Sequence, residues 1–221
     1  MSVFNRRGFA LSLAALAVGS ATTAHAETKD MPCSDMFPFL LNYLNLPAAD
    51  RTHFRLAYRL GVSGAKLSDL RLVLKHNGET PIGLAPDGTL TPLPSAAALK
   101  AKAPVTFTRP DGSKMSLTLI IAASLPSATA YAATDLKKAV DQAHSGAKKA
   151  AGLISLAVPN LDRITFVGAS GAQAIGADGK GVALPKTKDG YPIFQPSAHA
   201  SAARVTLEKA PVLLRIDAKA K

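Results

Sequence analysis

The chain has 221 residues, of which 48% are hydrophobic and 19% charged, and its formal net charge is +11. This length is enough for one large or two small domains with a substantial core. A single cysteine, Cys33, excludes an intramolecular disulfide, and 5% aromatic residues with no Trp argue against a surface that stacks sugars or bases. The basic balance favours either contact with anionic surfaces or a solvated basic exterior.

The first 26 residues have the pattern of an export leader. Arg6-Arg7 precedes an apolar run at residues 9–18 that is too short to span a bilayer, and Ala24-His25-Ala26 is a small-x-small cleavage site. The arginine pair and the phenylalanine that follows resemble the twin-arginine export signal, although Asn5 stands where Ser or Thr is usual. General secretory export is the alternative. We predict a signal peptide at residues 1–26 and a periplasmic or secreted mature protein.

Two segments have the apolar spacing of helices. Residues 34–46 are apolar nearly all round and end at Pro47, which predicts a buried N-terminal helix or one that covers a sheet. From residue 134 to 156 apolar residues recur at helical spacing opposite a lysine-rich face, which predicts an amphipathic helix that ends before Pro159. Residues 27–33 are polar and are predicted to be disordered.

Residues 52–60 alternate between apolar and basic side chains, which predicts a half-buried strand. One face has Phe54, Leu56, Tyr58 and Leu60, and the other has His53, Arg55, Ala57 and Arg59. The basic members of the second face, His53, Arg55 and Arg59, form a candidate anion-binding strip with about 7 Å between successive positions on that face. The alternative is an exposed strand face whose charges discourage pairing at a sheet edge.

Short strand-like runs separated by turn residues make up most of the remaining chain. Asn77-Gly78 predicts a tight hairpin, and further hairpins are predicted across residues 110–113 and 209–211. The pattern predicts a mainly β fold of two related β-sandwich-like units built from antiparallel hairpins, with an N-terminal apolar helix and a connecting amphipathic helix. Residues 27–133 would hold the apolar helix and the first β-unit. Residues 134–221 would hold the connecting helix and the second β-unit, packed against the first.

A short element recurs in the two halves of the chain. Asp87-Gly88 leads to Leu93-Pro94 after four residues, and Asp178-Gly179 leads to Leu184-Pro185 in the same way, about 91 residues later. The recurrence indicates an internal duplication and predicts that Asp87 and Asp178 occupy equivalent turns. Chance recurrence of Gly and Pro is the alternative.

No stretch of the sequence has a complete catalytic or cofactor-binding motif. Residues 168–172 lack the final glycine of a serine-hydrolase elbow, and residues 176–181 lack the full phosphate-loop pattern. The four histidines after the leader have no metal-site spacing. The soft ligands Met31, Cys33 and Met36 cluster after the leader and could attract copper(I); a chance composition in a flexible segment is the alternative. We therefore predict no catalytic residue, no metal and no cofactor, which favours a non-catalytic protein over an enzyme.

Three functional hypotheses remain. The first is an exported, non-catalytic, β-rich protein with a binding or structural role in the cell envelope, where anionic components are the candidate partners. The second is a carrier of a small apolar or amphipathic ligand, which requires an apolar pocket of some hundreds of Å³. The third is an enzyme of unrecognised class. No specific nucleic-acid partner is indicated, and no membrane span is expected after leader removal.

Overall fold

The computed structural model describes residues 26–151 and 159–218. This part of the chain is mainly β, with 44% strand and 21% helix, and its strands form three antiparallel sheets, which confirms the predicted fold class. The predicted leader lies outside the described residues except for Ala26. Export therefore stays a prediction from the sequence.

The elements follow one another as strands with few helices between them. The helices are α1 (Cys33–Met36), α2 (Leu40–Leu44), α3 (Ala96–Lys100) and α4 (Ala133–Ala151), with short 3-10 turns at Ala48–Arg51 and Leu67–Asp69. The strands of the N-terminal half are β1 (Ala26–Pro32), β2 (Phe54–Ser63), β3 (Arg71–Lys75), β4 (Glu79–Leu84), β5 (Leu90–Thr91), β6 (Pro104–Pro110), β7 (Lys114–Ala123) and β8 (Ala130–Ala132). Those of the C-terminal half are β9 (Leu161–Val167), β10 (Ala172–Gly176), β11 (Gly181–Ala183), β12 (Ile193–Phe194), β13 (Ala202–Leu207) and β14 (Leu213–Ala218).

One sheet contains strands from both halves of the chain. This central sheet has the order β12-β9-β14-β7-β2, and β14 meets β7 where Arg215 lies opposite Ala122. The N-terminal sheet has the order β1-β6-β3-β4-β5, and the C-terminal sheet has the order β11-β10-β13-β8. The division of the chain at residue 133 stays a prediction, but the two halves are joined through the central sheet.

Two hydrophobic cores lie along one face of the central sheet. Alternation along β2 directs Phe54, Tyr58 and Leu60 to that face. Tyr58 and Leu60 belong to the core shared with α1, α3 and the N-terminal sheet. Phe54 belongs to the other core, where α4 and the C-terminal sheet cover β9 and β14. The long strands β2 and β7 therefore extend from one core to the other.

The apolar stretch before Pro47 is helical but is divided into α1 and α2. Pro38 has no N–H to continue the first helix, and Phe39 has a left-handed backbone with φ of 65°. Residues 27–33, predicted to be disordered, are ordered because β1 pairs with β6 along its whole length. Across this strand pair, the Arg109 guanidinium donates to the Glu27 carboxylate, with Nη2 2.6 Å from Oε2.

Two predicted hairpins are wrong. The strands on either side of residues 110–113 are β6 and β7, but β6 pairs with β1 and β3 while β7 pairs with β2 and β14. Likewise, β13 and β14 lie in different sheets. Both turns carry the chain from one sheet to another. The Asn77-Gly78 hairpin is confirmed, with positive φ at both residues and β3 paired to β4.

The two Asp-Gly elements form the same turn. In both turns, the N–H of the first residue donates to the carbonyl of the fifth, at 2.9 Å from Ala85 and 2.9 Å from Gly176. The Asp87 carboxylate accepts the next-but-one N–H at 3.0 Å, and Asp178 does so at 3.1 Å. The Thr89 backbone N–H holds the pKa of Asp87 below its usual value. Asp87 and Asp178 thus occupy equivalent turns, as predicted.

The shared turn does not require a duplication. A third turn, at residues 187–191, has the same backbone hydrogen bonds and a glycine at φ of 84°. Beyond the turns the halves differ, because β3 pairs with β4 whereas β9 and β10 lie in different sheets. Three-residue loops with a left-handed glycine are common in hairpins. The internal repeat therefore stays a hypothesis.

Candidate functional site

An apolar pocket lies between α2, α4 and the central sheet. Its volume is about 200 Å³. The residues that line it are nearly all aliphatic or aromatic: Phe39, Tyr43, Leu46, Phe54, Leu56, Leu119, Ile121, Ala143, Gly146, Ala147, Ala150, Pro159 and Leu161. Pockets of this kind are the usual binding sites for small apolar molecules.

The pocket lies where the two hydrophobic cores meet. Phe54, Leu161 and Ala143 belong to the core beneath α4, whereas Leu56 and Leu119 pack against the core of the N-terminal sheet. Two separately packed cores on one continuous sheet leave a gap where neither fills the space between them. Ligand pockets are often found at such junctions between packed units.

Small residues on α4 form the helical wall of the pocket. Ala143, Gly146, Ala147 and Ala150 lie about one turn apart or less, so the helix presents little more than backbone to this space. At Gly146 an added Cβ would lie 2.6 Å from Cζ of Phe54. The Phe54 ring can therefore lie directly against the helix, and the space beside it stays open.

Among the described residues that line the pocket, none has a free polar side-chain group to offer a ligand. Tyr43 has the one side-chain hydroxyl among the lining residues, and it donates a hydrogen bond to the carbonyl of Phe54 at 3.1 Å. The Tyr43 ring also packs edge-on against Phe54, with centroids 5.3 Å apart. Near the rim, Nδ2 of Asn42 donates to the carbonyl of Ala150 at 2.7 Å and links α2 to the last turn of α4. Any ligand inside must therefore be apolar where it is enclosed.

The predicted anion-binding residues are only partly brought together. Arg55 and Arg59 are exposed on the face of β2 opposite the cores. His53 precedes the strand and is half-buried, with its backbone N–H donating to Oε1 of Gln142 at 2.8 Å. Ala57, expected on the wet face between the arginines, is buried at 6% exposure beside Ile120 and Ala122.

Acidic groups offset much of the positive charge on this face. Arg59 contributes to the lowered pKa of Asp87, whose turn lies against the β2 edge. Arg215, opposite Ala122 in the same row as Arg55, has Nε 2.8 Å from Oδ1 of Asp217. Of the three arginines on this face, only Arg55 has no acidic group beside it in the described part of the chain. Anion binding by His53, Arg55 and Arg59 stays a prediction, and the geometry favours it less than the pocket.

Of the three soft ligands, Met31 lies in β1, and Cys33 and Met36 lie in the core of the N-terminal sheet. Cys33 is fully buried, and its Sγ lies 3.3 Å from the carbonyl of Ala98. Burial raises the pKa of the Cys33 thiol. Met36 is buried in the same core, so two of these three soft side chains have apolar neighbours. Within residues 26–151 and 159–218, no group of three or more His, Cys, Asp or Glu side chains is placed to hold a metal ion.

Comparison with known proteins identifies no relative of the chain. No family model, curated protein or solved structure matches the chain. Among the helices of the described residues, none is long and apolar enough to cross a membrane. The pocket and its chemistry are therefore the basis for a functional assignment.

None of the pocket residues was singled out from the sequence as a site. The sequence does contain a signal for the pocket in α4. Small residues lie on or beside the apolar face of this helix at Ala143, Gly146, Ala147 and Ala150. Small residues at that spacing mark close approach or open space. Which of the two applies depends on Phe54, about 90 residues away in the chain, and local pattern does not show it.

Proposed function

We propose that this protein is an exported, non-catalytic binding protein that holds the apolar end of a small molecule in the pocket between α2, α4 and the central sheet. The observation that carries the proposal is an apolar pocket of about 200 Å³ whose one side-chain hydroxyl is already bonded within the protein. Binding would be driven by removal of apolar surface from water, with little directional recognition.

The pocket volume sets the size of the enclosed part. A dry cavity of roughly 150 Å³ lined by Leu, Ile and Phe accommodates benzene. By that scale the present pocket, about 200 Å³, takes a single ring or a chain of about eight carbons. A sterol or a complete long acyl chain would exceed it. The ligand class is therefore a small amphiphile or apolar molecule whose remainder lies outside.

Export of the protein forms the second part of the proposal. The leader pattern at residues 1–26 supports transport to the periplasm or the exterior, by the twin-arginine route or the general one. A carrier in that compartment would meet amphiphiles in water or at the envelope. A structural role in the envelope without a ligand is the alternative, and the binding experiment separates the two.

A homologous series of 1-alkanols tests the proposal by isothermal titration calorimetry. Each methylene that enters the pocket adds about 0.8 kcal/mol, so affinity should rise about fourfold per carbon from butanol upward. Beyond about eight carbons, where the pocket is full, each further carbon should add much less to the affinity. The heat capacity change of binding should be negative because apolar surface is buried.

The α,ω-diol of octane is the matched control ligand. It has the same chain as octanol, but its second hydroxyl would be enclosed without a hydrogen-bond partner, which should weaken binding about tenfold or more. Equal affinity for the diol, or affinity that rises without limit along the series, would indicate adsorption to the surface. Absence of binding across the series would contradict the proposed function.

A further inference from the structure

Phe39 combines two features that are rare in one residue. Phe39 is 52% exposed, and it is the one aromatic residue among the exposed large hydrophobic residues of the described chain. Its backbone has φ of 65°, a left-handed conformation that residues other than Gly, Asn and Asp rarely adopt. It also lines the apolar pocket. An exposed apolar ring and a strained backbone both oppose stability, and such strain is frequent at binding sites.

The surroundings of Phe39 force its conformation. Phe37 and Leu40, on either side, are buried at 1% and 2% exposure in the core of the N-terminal sheet. The Phe37 ring packs edge-on against Tyr58, with centroids 5.1 Å apart, and the Tyr58 hydroxyl donates to the carbonyl of Pro38. Burial raises the pKa of that hydroxyl, which keeps it a donor. With its neighbours anchored, the chain at residue 39 must turn and project its side chain outward.

The carbonyl of Phe39 is also bound. The N–H of Tyr43 donates to it at 2.9 Å in the first turn of α2. Tyr43 lines the pocket beside Phe39, and its ring is fixed by Phe54. The Phe39 backbone is therefore held beside the pocket, while about half of the residue remains in contact with water.

The other non-glycine residues with positive φ have ordinary explanations. Asn77, with φ of 54°, lies in the β3–β4 turn, where Asn tolerates this conformation. Lys102, with φ of 49°, follows α3, and its N–H donates to the carbonyl of Leu99 at 3.1 Å. A left-handed residue just after a helix is common. Phe39 is neither a tolerant residue such as Asn nor a residue that closes a helix, because it precedes α2 as its N-cap.

We propose that Phe39 is a binding residue that covers the part of the ligand emerging from the pocket, and that the ligand is an amphiphile with its apolar end inside and its polar end in water beyond Phe39. This inference rests on the proposed function and adds the binding orientation and the residue that determines affinity. None of the lining residues that the structure describes has a free polar side-chain group for the ligand's polar end, so we place that end at the mouth. The exposed Phe39 ring loses water contact only when a ligand emerges beside it.

Phe39→Gly separates binding from stability. Glycine adopts positive φ without steric cost, so the substitution relieves the backbone strain and removes an exposed ring. The expected result is a melting temperature equal to or above that of the unmodified protein, with octanol binding about fivefold weaker. That loss corresponds to roughly 40 Å² of ligand surface left in water. Phe39→Asn, which also tolerates positive φ, should give the same two results if the glycine variant folds poorly.

Lys102→Gly is the matched control. It relieves the same kind of strain at an exposed residue that does not line the pocket, so it should leave octanol affinity unchanged. If the Phe39 variants bind octanol as tightly as the unmodified protein does, the inference about Phe39 is wrong and the proposed function stands. If they bind weakly but also melt well below it, Phe39 is structural and the inference is again wrong. If the unmodified protein binds no alkanol, both proposals fail.

Discussion

Gly88→Ala should lower the free energy of unfolding by about 3 kcal/mol, the largest loss expected for alanine at any of the described glycines. Gly88 has φ of 84°, and an added Cβ would lie 2.1 Å from the carbonyl oxygen of Leu60. That oxygen is backbone and cannot rotate away. The N–H of Leu60 donates to the carbonyl of Gly88 at 2.8 Å, so a shift of the turn would also break the contact that covers the β2 edge.

Gly179→Ala is the matched control for this prediction. Gly179 occupies the equivalent turn with φ of 79°, but an added Cβ there would meet nothing within 4 Å. Only the left-handed conformation penalises alanine, at about 1 kcal/mol. The free energies of unfolding of the two variants, measured with urea, should therefore differ by about 2 kcal/mol. Equal losses would show that the Asp87 turn does not lie against β2 in solution.

Ala147→Leu should abolish most alkanol binding without lowering stability. Ala147 lines the pocket from α4, and three added carbons would occupy much of the space available to a ligand. Leucine is nearly as good a helix former as alanine, and filling an apolar gap stabilises the folded state. We expect octanol affinity to fall by more than about tenfold, as judged from about 0.8 kcal/mol for each of the carbons displaced. The melting temperature should be unchanged or higher.

Ser145→Leu provides the control on the same helix. Ser145 is exposed and does not line the pocket, so the variant adds the same side chain on the outer side of α4. It should bind octanol like the unmodified protein. If Ala147→Leu and Ser145→Leu reduce binding equally, or if neither does, the alkanol site lies elsewhere and the pocket is not the binding site.

The elements with local signals were predictable from the sequence. Alternation along β2 and the Asn77-Gly78 turn produced the expected strand and hairpin. Helical spacing placed α4 to within a residue at its start. The Asp-Gly turns at Asp87 and Asp178 also followed from composition, because aspartate and glycine favour that loop by themselves.

The pairing of distant strands was not predictable. Short turns after β6 and after β13 have the residues of hairpins, but the two strands on each side enter different sheets. Turn chemistry determines a change of direction, whereas the partner is determined by side-chain packing between remote segments. The ordered β1 was missed for the same reason: its polar residues are stabilised by pairing with β6 rather than by burial.

The candidate site depends on these long-range contacts. Phe39 reads as one more apolar residue in a helical run, and its left-handed backbone arises from Tyr58 binding the preceding carbonyl. The basic strip was visible in the sequence, but the acids that offset it lie in a turn and on β14. Residue types alone therefore favoured a charged surface, whereas the assembled fold favours an apolar pocket.

A crystal of the protein under xenon pressure tests the central claim most directly, because xenon enters dry apolar cavities without needing a polar group. The account predicts an anomalous xenon peak between Phe54, Leu56 and Ala147, or a copurified amphiphile in the same place. Neither xenon nor a copurified molecule at that position, with side chains of the protein itself filling the space, would contradict the claim that this protein has a ligand pocket.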